Sequence, residues 1–314
     1  MNQKILATEV GTLIWKIVRF IMLIGLSYIL VYPVLYMITM AIRPNSQVMD
    51  PSVIWIPKSV TIDQFKVAFT NMKYDTSFIT TFVMSMVSTV LQLISCSMVG
   101  YGFARFKFRG SGLLFTLVML TLVVPAATIT IPLYFQYKSF SIPVIAPIMD
   151  MAFGAKMPEF LTTNMIDSWF VFWLPALLAT GLRSGLYVYI FRQFFRNIPV
   201  EIEEAAMVDG AGFFKTFYRI MVPNAAGSFL TVFLFSIVWY WNDTFYTSQF
   251  ISRKRTLAKA LSNLRGTLGG GNDYYSFTPK MMAGALLFVI PLLLMYIVLQ
   301  RYFVQSVERT GIVG

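Results

Sequence analysis

Residues 198–223 read IPVEIEEAAMVDGAGFFKTFYRIMVP, a polar interlude in a chain that is otherwise mostly apolar. Pro199 suits the first position of a helix, because its fixed φ is helical and its missing N–H would have no partner there. Carboxylates stabilise the positive end of a helix dipole, and three follow this proline: Glu201, Glu203 and Glu204. The stretch therefore predicts a short helix that begins at Pro199.

The same stretch then predicts a turn and a second helix. Asp209 and Gly210 leave helical geometry at little cost, and an amphipathic helix is expected to follow until Pro223 stops it. At the centre of the first helix, Ala205 and Ala206 have almost no side-chain bulk. We therefore expect a helical hairpin whose first helix another protein can approach closely.

The composition around this hairpin is that of a membrane protein. Hydrophobic residues make up 57% of the 314 residues, charged residues make up 12%, and the mean hydropathy is +0.68. Runs long enough to cross about 30 Å of hydrocarbon occur near residues 17–41, 79–103, 112–134, 168–191, 226–244 and 281–300. The sequence predicts an all-α polytopic membrane protein, one transmembrane domain over 1–314, with six transmembrane helices and the hairpin between the fourth and the fifth.

Basic residues determine the predicted orientation. Six spans place both termini on one side, and the two faces carry equal numbers of Lys and Arg. The short turn 105–110, RFKFRG, holds three positive charges, and short loops weigh most in the positive-inside rule. Both termini and the hairpin are therefore expected in the cytoplasm. The net charge of +11 is explained by such flanking residues, so no nucleic-acid partner is expected.

Several kinds of chemistry are excluded by missing residue types. The chain has no histidine and one cysteine, Cys96, so the common zinc sites and histidine-based triads are absent. Residues 210–216, GAGFFKT, approach a phosphate loop, but Phe214 stands where glycine must precede the lysine. We therefore expect no nucleotide, metal or other cofactor on this chain, so any ATP would bind elsewhere.

A family pattern runs through the hairpin in the order Glu204, Ala205, Ala206, Asp209, Gly210, Ala211, Ile220 and Pro223. Further matching segments are 42–45 (IRPN), 101–110 (YGFARFKFRG), 131–134 (IPLY), 192–199 (RQFFRNIP), 241–243 (WND) and 300–304 (QRYFV). With these segments the chain resembles the permease subunits of carbohydrate-uptake ABC transporters, in the maltose-permease-like branch of the binding-protein-dependent importers. The hairpin corresponds to the EAA loop of that family, and the resemblance covers essentially the whole chain.

The resemblance implies a division of labour among subunits. This chain would pair with a second, related permease on two cytoplasmic ATPase subunits, which bind ATP and Mg, while an extracytoplasmic binding protein delivers the sugar. The EAA residues would couple ATPase closure to alternating access. The chain itself would be a multi-pass transport subunit of the bacterial cytoplasmic membrane, in contact with lipid, and not an enzyme.

Two places are candidates for the substrate pathway. Arg183 lies within the fourth predicted span, where a charge costs roughly 2.5 to 3.5 kcal/mol, so it is expected to face sugar hydroxyls or a substrate carboxylate. Packing against the other permease, pairing with a carboxylate there, or snorkelling would also explain it. Trp241, Asn242 and Asp243 end the fifth span, where aromatic residues stack on sugars but also collect at membrane interfaces.

Other classes of function stay open at this stage. An ABC importer permease for a solute other than sugar would carry the same coupling loop. An ion-gradient-driven secondary transporter would instead call for internal repeats and intramembrane carboxylates, and the sequence shows no convincing repeat and few acids in its spans. An intramembrane enzyme would need a cluster of nucleophile, base or metal ligands, which the chain does not supply.

Overall fold

A computed structural model describes residues 2–139, 164–269 and 274–311, and every regular element within these ranges is a helix. The α-helices are α1 (Asn2–Ala41), α2 (Asp63–Met72), α3 (Tyr74–Arg105), α4 (Ser111–Val123), α5 (Ala126–Lys138), α6 (Phe170–Leu177), α7 (Ser184–Asn197), α8 (Glu201–Val208), α9 (Phe213–Asn224), α10 (Ala226–Asn242), α11 (Phe245–Phe250), α12 (Leu257–Ser262), α13 (Leu264–Thr267) and α14 (Tyr274–Gly311), and a short 3-10 helix spans Asn45–Gln47.

The chain divides into two compact units, Met1–Lys73 with Leu261–Ile290, and Tyr74–Ala260 with Pro291–Gly314. In the first unit, α2 and α13 pack together. Gly284 of α14 lies so close to them that an added Cβ would be 2.7 Å from Leu264 Cδ2 and 3.2 Å from Met72 Sδ. Helix α1, by contrast, exposes its apolar side chains over most of its length, as expected of a surface that meets lipid.

In the second unit, α3 is the central helix, and α6, α7 and α10 pack against it. One face of α3 is a buried polar seam, formed by Ser77, Thr81, Ser85, Ser88, Gln92 and Ser95 at helical spacing. Hydroxyls of this seam bond the preceding turn, since Thr81 donates to Ser77 O at 2.8 Å and Ser85 to Thr81 O at 2.7 Å. Small side chains such as serine and threonine let helices approach closely inside a membrane protein.

Gly100 of α3 provides a test of this close packing. A Cβ at Gly100 would lie 2.6 Å from Phe191 Cβ and 3.0 Å from the Arg192 backbone nitrogen in α7. We expect Gly100→Ala to destabilise the purified protein by about 1 to 3 kcal/mol, because the two backbones must separate. Thermal unfolding in detergent, followed by tryptophan fluorescence, measures the effect.

Gly102 of the same helix is the matched control. A Cβ there would meet only Phe106 Cδ2, at an ordinary contact distance of 3.8 Å. Alanine also has the higher helix propensity, so Gly102→Ala should leave thermal stability equal or higher. Equal unfolding temperatures for the two alanine variants would contradict the close packing of α3 and α7.

Three of the predicted spans coincide with single helices that are long and apolar enough to cross a membrane: Gly11–Ala41, Tyr74–Arg105 and Tyr275–Tyr302. Two further apolar pairs are bent, Ser111–Val123 with Ala126–Lys138 by 104°, and Phe213–Asn224 with Ala226–Asn242 by 78°. Counting each bent pair as one span gives five among the described residues, so the six-span count stays a prediction.

The expectation of one continuous helix over 112–134 was wrong, and the cause is Pro125. This residue caps α5 in an extended conformation, with φ −63° and ψ 135°, and Val124 before it is extended as well. Proline lacks the N–H that would continue α4 and disfavours helical geometry in its predecessor. The apolar run is therefore divided at the proline.

The expectation of one continuous helix over 168–191 was also wrong. Helix α6 ends at Leu177 and α7 begins at Ser184, and the residues between them form a break, 178–183. Two non-glycine residues of this break have left-handed backbones, Ala179 at φ 56° and Arg183 at φ 58°. Such residues cost about 1 to 3 kcal/mol each and persist only where their surroundings fix them. The break is thus a built feature of this unit.

Candidate functional site

The hairpin stretch forms α8 and α9 around a tight turn. Gly210 has φ 77°, the Gly210 N–H bonds Met207 O at 3.0 Å, and the Ala211 N–H bonds Ala206 O at 2.9 Å. This pair of bonds is a Schellman cap, which favours glycine because a side chain is strained at positive φ. The direction of the chain after α8 is therefore set by Gly210 and not by a flexible loop.

Two details of the hairpin differ from expectation. Pro199 lies ahead of α8, whose N-cap is Val200, so it is not the first helical residue. Pro223 does not end α9, which continues to Asn224. A π-helical turn, Phe217–Met221, precedes Pro223, and the wider turn relieves the clash that a proline ring makes with the preceding carbonyl. The bend follows at Ala225.

The residues of the hairpin divide between an exposed and a buried face. Glu204, Ala205, Asp209, Gly210 and Pro223 are exposed, and Ala211 and Ile220 are half-buried. Ala206 was expected to face a partner, but it is 6% exposed and faces the interior of this chain. Its spacing from Glu203 is i, i+3, which puts both on the inner side of α8. Of the alanine pair, only Ala205 is open to a partner protein.

Glu203 is the residue that sequence reasoning missed. Its carboxylate is buried, Oε1 accepts from Arg105 Nε at the end of α3, and Oε2 accepts from Tyr101 Oη at 3.2 Å. Arg105 also donates through Nη2 to Ile198 O at 2.7 Å. In the sequence Glu203 is one of three glutamates in the first turn of α8, and no local signal distinguishes it from the other two. We call Glu203, Arg105 and Tyr101 the α8 anchor.

Aromatic rings shield the α8 anchor. The Tyr101 ring centroid lies 5.4 Å from Phe195, 5.4 Å from Phe213 and 5.1 Å from Phe217. These rings come from α7 and α9, so both helices pack around the Tyr101 ring of the anchor. A paired charge in such a low-dielectric site is held firmly, because separating it would leave an unpaired buried ion. The anchor therefore fixes α8 to the end of α3.

Arg183 lies in the break before α7, in contrast to the expected position within a continuous span. It is the N-cap of α7 in left-handed geometry, and its side chain is exposed. Its guanidinium carbon is 4.3 Å from the Trp239 ring centroid, a cation–π contact. The insertion penalty of a helix-centre charge was the reason for singling Arg183 out, and this geometry removes that reason. The position instead presents a cation and an aromatic face together.

Side chains of the polar seam bond the backbone of the break and of the last turn of α6. Gln92 Nε2 donates to Leu182 O at 2.7 Å and to Ser184 Oγ at 2.7 Å. Ser95 Oγ donates to Ala176 O at 2.5 Å, and Ser236 Oγ of α10 donates to Gln92 Oε1 at 2.9 Å. Carbonyls freed by a broken helix need such partners at membrane depth, where water is scarce. The seam thus holds the break in place.

At the end of α10, Trp241, Asn242 and Asp243 make contacts within this chain. Trp241 is 2% exposed and its ring packs edge-on against Phe78 at 5.9 Å, so in this conformation it offers no face to a sugar. Asp243 accepts the N–H groups of Tyr246 at 3.2 Å and Thr247 at 2.7 Å, which caps α11. Asn242 is exposed and donates to Val238 O at 2.8 Å. Trp241 is thus buried in this conformation, and the substrate role predicted for it stays a prediction.

Comparisons with known proteins agree on one class. Residues 96–309 match the family described as binding-protein-dependent transport system inner membrane component. An arabinooligosaccharides transport system permease protein, AraQ of Halalkalibacterium halodurans, is 26% identical over 92% of this chain and 93% of its own. The trehalose transport system permease protein SugB of Mycobacterium tuberculosis is 25% identical over 90% and 92%.

A solved structure shares the fold. It is a bacterial ABC transporter involved in the import of the acidic polysaccharide alginate, and one of its chains matches with a TM-score of 0.66 and 20% identity over 92% of this chain and 96% of that one. The fold is thus that of an ABC importer permease. Because the family match spans well over half of the sequence, the chain belongs to the binding-protein-dependent transport system inner membrane components.

Proposed function

We propose that this chain is a permease subunit of an ATP-driven importer that moves a sugar or oligosaccharide across the cytoplasmic membrane by alternating access. Membership of the family supports the transport role, and the names of the relatives AraQ and SugB support the sugar. The partners in this proposal are a second permease, two ATPase subunits that bind ATP and Mg, and an extracytoplasmic binding protein. ATP hydrolysis belongs to those partners.

The geometry of α8 carries the coupling part of the proposal. Its outer face exposes Glu204 and Ala205 next to Val208, which is 88% exposed, so it offers a carboxylate and a small apolar surface together. Its inner face is held by the α8 anchor. A docking helix must be open on one side and rigid on the other, because force passes only through a fixed connection. Helix α8 meets both conditions.

The same contacts support the proposed orientation. Arg105, at the start of the basic turn 105–110, bonds Ile198 O and Glu203, so this turn and the hairpin lie at one end of their unit. Three positive charges in a short turn favour the cytoplasmic side. With the hairpin there, an ATPase in the cytoplasm can reach α8, and the two termini are proposed to share that side.

For the substrate pathway, we propose the break at 178–183. Exposed Arg183 beside Trp239 joins hydrogen-bond donors to an aromatic face, and saccharides use both kinds of contact. The polar seam keeps this arrangement fixed through Gln92. A pathway residue on irregular backbone fits the general rule that broken helices in membranes line cavities or lie within protein.

Replacement of Ala205 tests the coupling role. The tagged permease is purified gently from membranes, and co-purifying proteins are identified by mass spectrometry while solute uptake is measured in cells. We expect the wild-type chain to recover a second permease and an ATPase. Ala205→Phe should lose the ATPase and most of the uptake, because the ring occupies the docking face of α8.

Ala127→Phe is the matched control, since Ala127 is an exposed alanine in α5, away from the hairpin. This variant should retain the ATPase and uptake. Retention of the ATPase by Ala205→Phe would contradict docking through α8. Uptake by the chain alone, without ATP, would contradict the importer proposal and favour a secondary transporter.

A further inference from the structure

We propose that a cavity between the α3–α4 turn and α7 binds the phosphate headgroup of an anionic phospholipid. Its cytoplasmic placement rests on the proposed function. The cavity has a volume of about 510 Å³ and lies within one compact unit of the chain. Its polar lining consists of Lys107, Arg109, Arg192, Arg196 and Ser111. Among the described residues that line it there is no carboxylate, so the charge of this lining is positive.

The cations of this cavity are available to an anion. Among the described residues, the ion pairs involve neither Lys107, Arg109 nor Arg196, and Glu203 nearby is bound to Arg105. Arg192 is held in position, because its Nε donates to Phe103 O at 3.4 Å and its guanidinium carbon lies 3.9 Å from the Phe115 ring centroid. Like charges in one cavity repel one another, and a bound phosphate removes that cost.

The surface beside the cavity indicates a lipid and not a soluble anion. Helix α4 begins at Ser111 in the cavity wall and then exposes Leu113, Leu117 and Leu120 along its length. Its apolar residues suit acyl chains, and exposed Phe106 and Phe108 border the cavity at the level of the headgroups. Basic pockets at the cytoplasmic ends of transmembrane helices suit anionic headgroups. A phospholipid can contact the basic cavity through its phosphate and the apolar residues of α4 through its two acyl chains.

The site also has a regulatory consequence. The turn 105–110 connects the cavity directly to Arg105 of the α8 anchor. A lipid phosphate that neutralises the cavity cations stabilises the turn from which Arg105 reaches Glu203. We therefore infer that anionic lipid supports the coupling position of α8, and that a purely zwitterionic bilayer weakens it.

Native mass spectrometry of the purified transporter complex tests the site without requiring transport. Phosphatidylglycerol and phosphatidylcholine are titrated in parallel, and the retained lipid is counted. We expect phosphatidylglycerol to be retained about tenfold more strongly, which corresponds to about 1.4 kcal/mol. The double variant Arg109→Gln with Arg196→Gln should lose this preference.

The matched control is Lys66→Gln with Lys138→Gln, which removes the same charge from exposed residues outside the cavity and should keep the preference. If the variant Arg109→Gln with Arg196→Gln retains phosphatidylglycerol as strongly as the wild-type protein does, the proposal is overturned. Displacement of phosphatidylglycerol by millimolar inorganic phosphate would overturn the lipid assignment in favour of a free-anion site. Because lipid counts are independent of uptake, failure here is distinguishable from failure of the importer proposal.

Discussion

Replacing Glu203 by alanine is expected to destabilise the folded permease by about 3 to 5 kcal/mol and to abolish solute uptake, because Arg105 is left as an unpaired buried charge. The side chains of the pair are only 6% and 10% exposed, so water cannot replace the lost carboxylate. Thermal unfolding of the purified complex in detergent and uptake in cells measure the two effects.

Glu204→Ala is the matched control for this prediction. Glu204 is the next residue of α8 and is exposed, so its removal should leave the thermal stability of the chain unchanged. A second control replaces both charges, as Arg105→Met with Glu203→Met, and should recover much of the stability because no unpaired ion remains. If the single alanine variant and the Glu204 variant unfold at the same temperature, the α8 anchor does not stabilise the fold.

Replacing Gln92 by methionine is expected to cost several kcal/mol and to reduce uptake severely. The amide of Gln92 donates to Leu182 O and Ser184 Oγ and accepts from Ser236 Oγ, all inside the unit. Methionine keeps the volume but removes the donor to Leu182 O and Ser184 Oγ, whereas Ser236 Oγ keeps its bond to Thr89 Oγ1 at 3.1 Å. Each unsatisfied buried group costs about 1 to 3 kcal/mol. Thermal unfolding and uptake again provide the measurements.

Ser97→Ala is the control for Gln92→Met. Ser97 is buried in the same helix, 2% exposed, but its hydroxyl bonds Ile94 O, a carbonyl of the preceding turn that its own helix also engages. Loss of this hydroxyl leaves no group of another helix unpaired, so unfolding temperature and uptake should change little. Similar losses in the two variants would show that the break does not depend on the bridging amide.

Hydropathy predicted the long helices because a continuous apolar run is sufficient evidence for them, as in Gly11–Ala41 and Tyr275–Tyr302. It did not predict the break at 178–183, because the apolar residues on both sides extend the predicted span across Thr180, Gly181 and Arg183. The broken geometry depends on bonds from Gln92 and Ser95, and side chains so distant in sequence meet only through tertiary packing. The break at Pro125, by contrast, was predictable, because proline interrupts a helix, but the predicted span 112–134 did not take this residue into account.

In the candidate site, too, one feature was predictable from the sequence and another was not. The turn at Gly210 was predictable because positive φ and a glycine are a local relation. The pairing of Glu203 with Arg105 joins residues 98 positions apart, and the sequence offered each of them an adequate local explanation, as a dipole carboxylate and as a topology charge. Because each residue already had a sufficient local explanation, nothing in the sequence pointed to their pairing.

The length of α3 has a mechanical consequence. Its 32 residues form a rod about 48 Å long at 1.5 Å per residue, with the α8 anchor at one end and Gln92 about 20 Å from that end. If the bridging amide acts as a fulcrum, a 2 Å displacement of α8 tilts the rod by about 6° and swings its far end by nearly 3 Å in the opposite direction. Under the proposed function, the movement of an ATPase would be transmitted to the opposite side of the membrane through α3 alone, without an intervening loop.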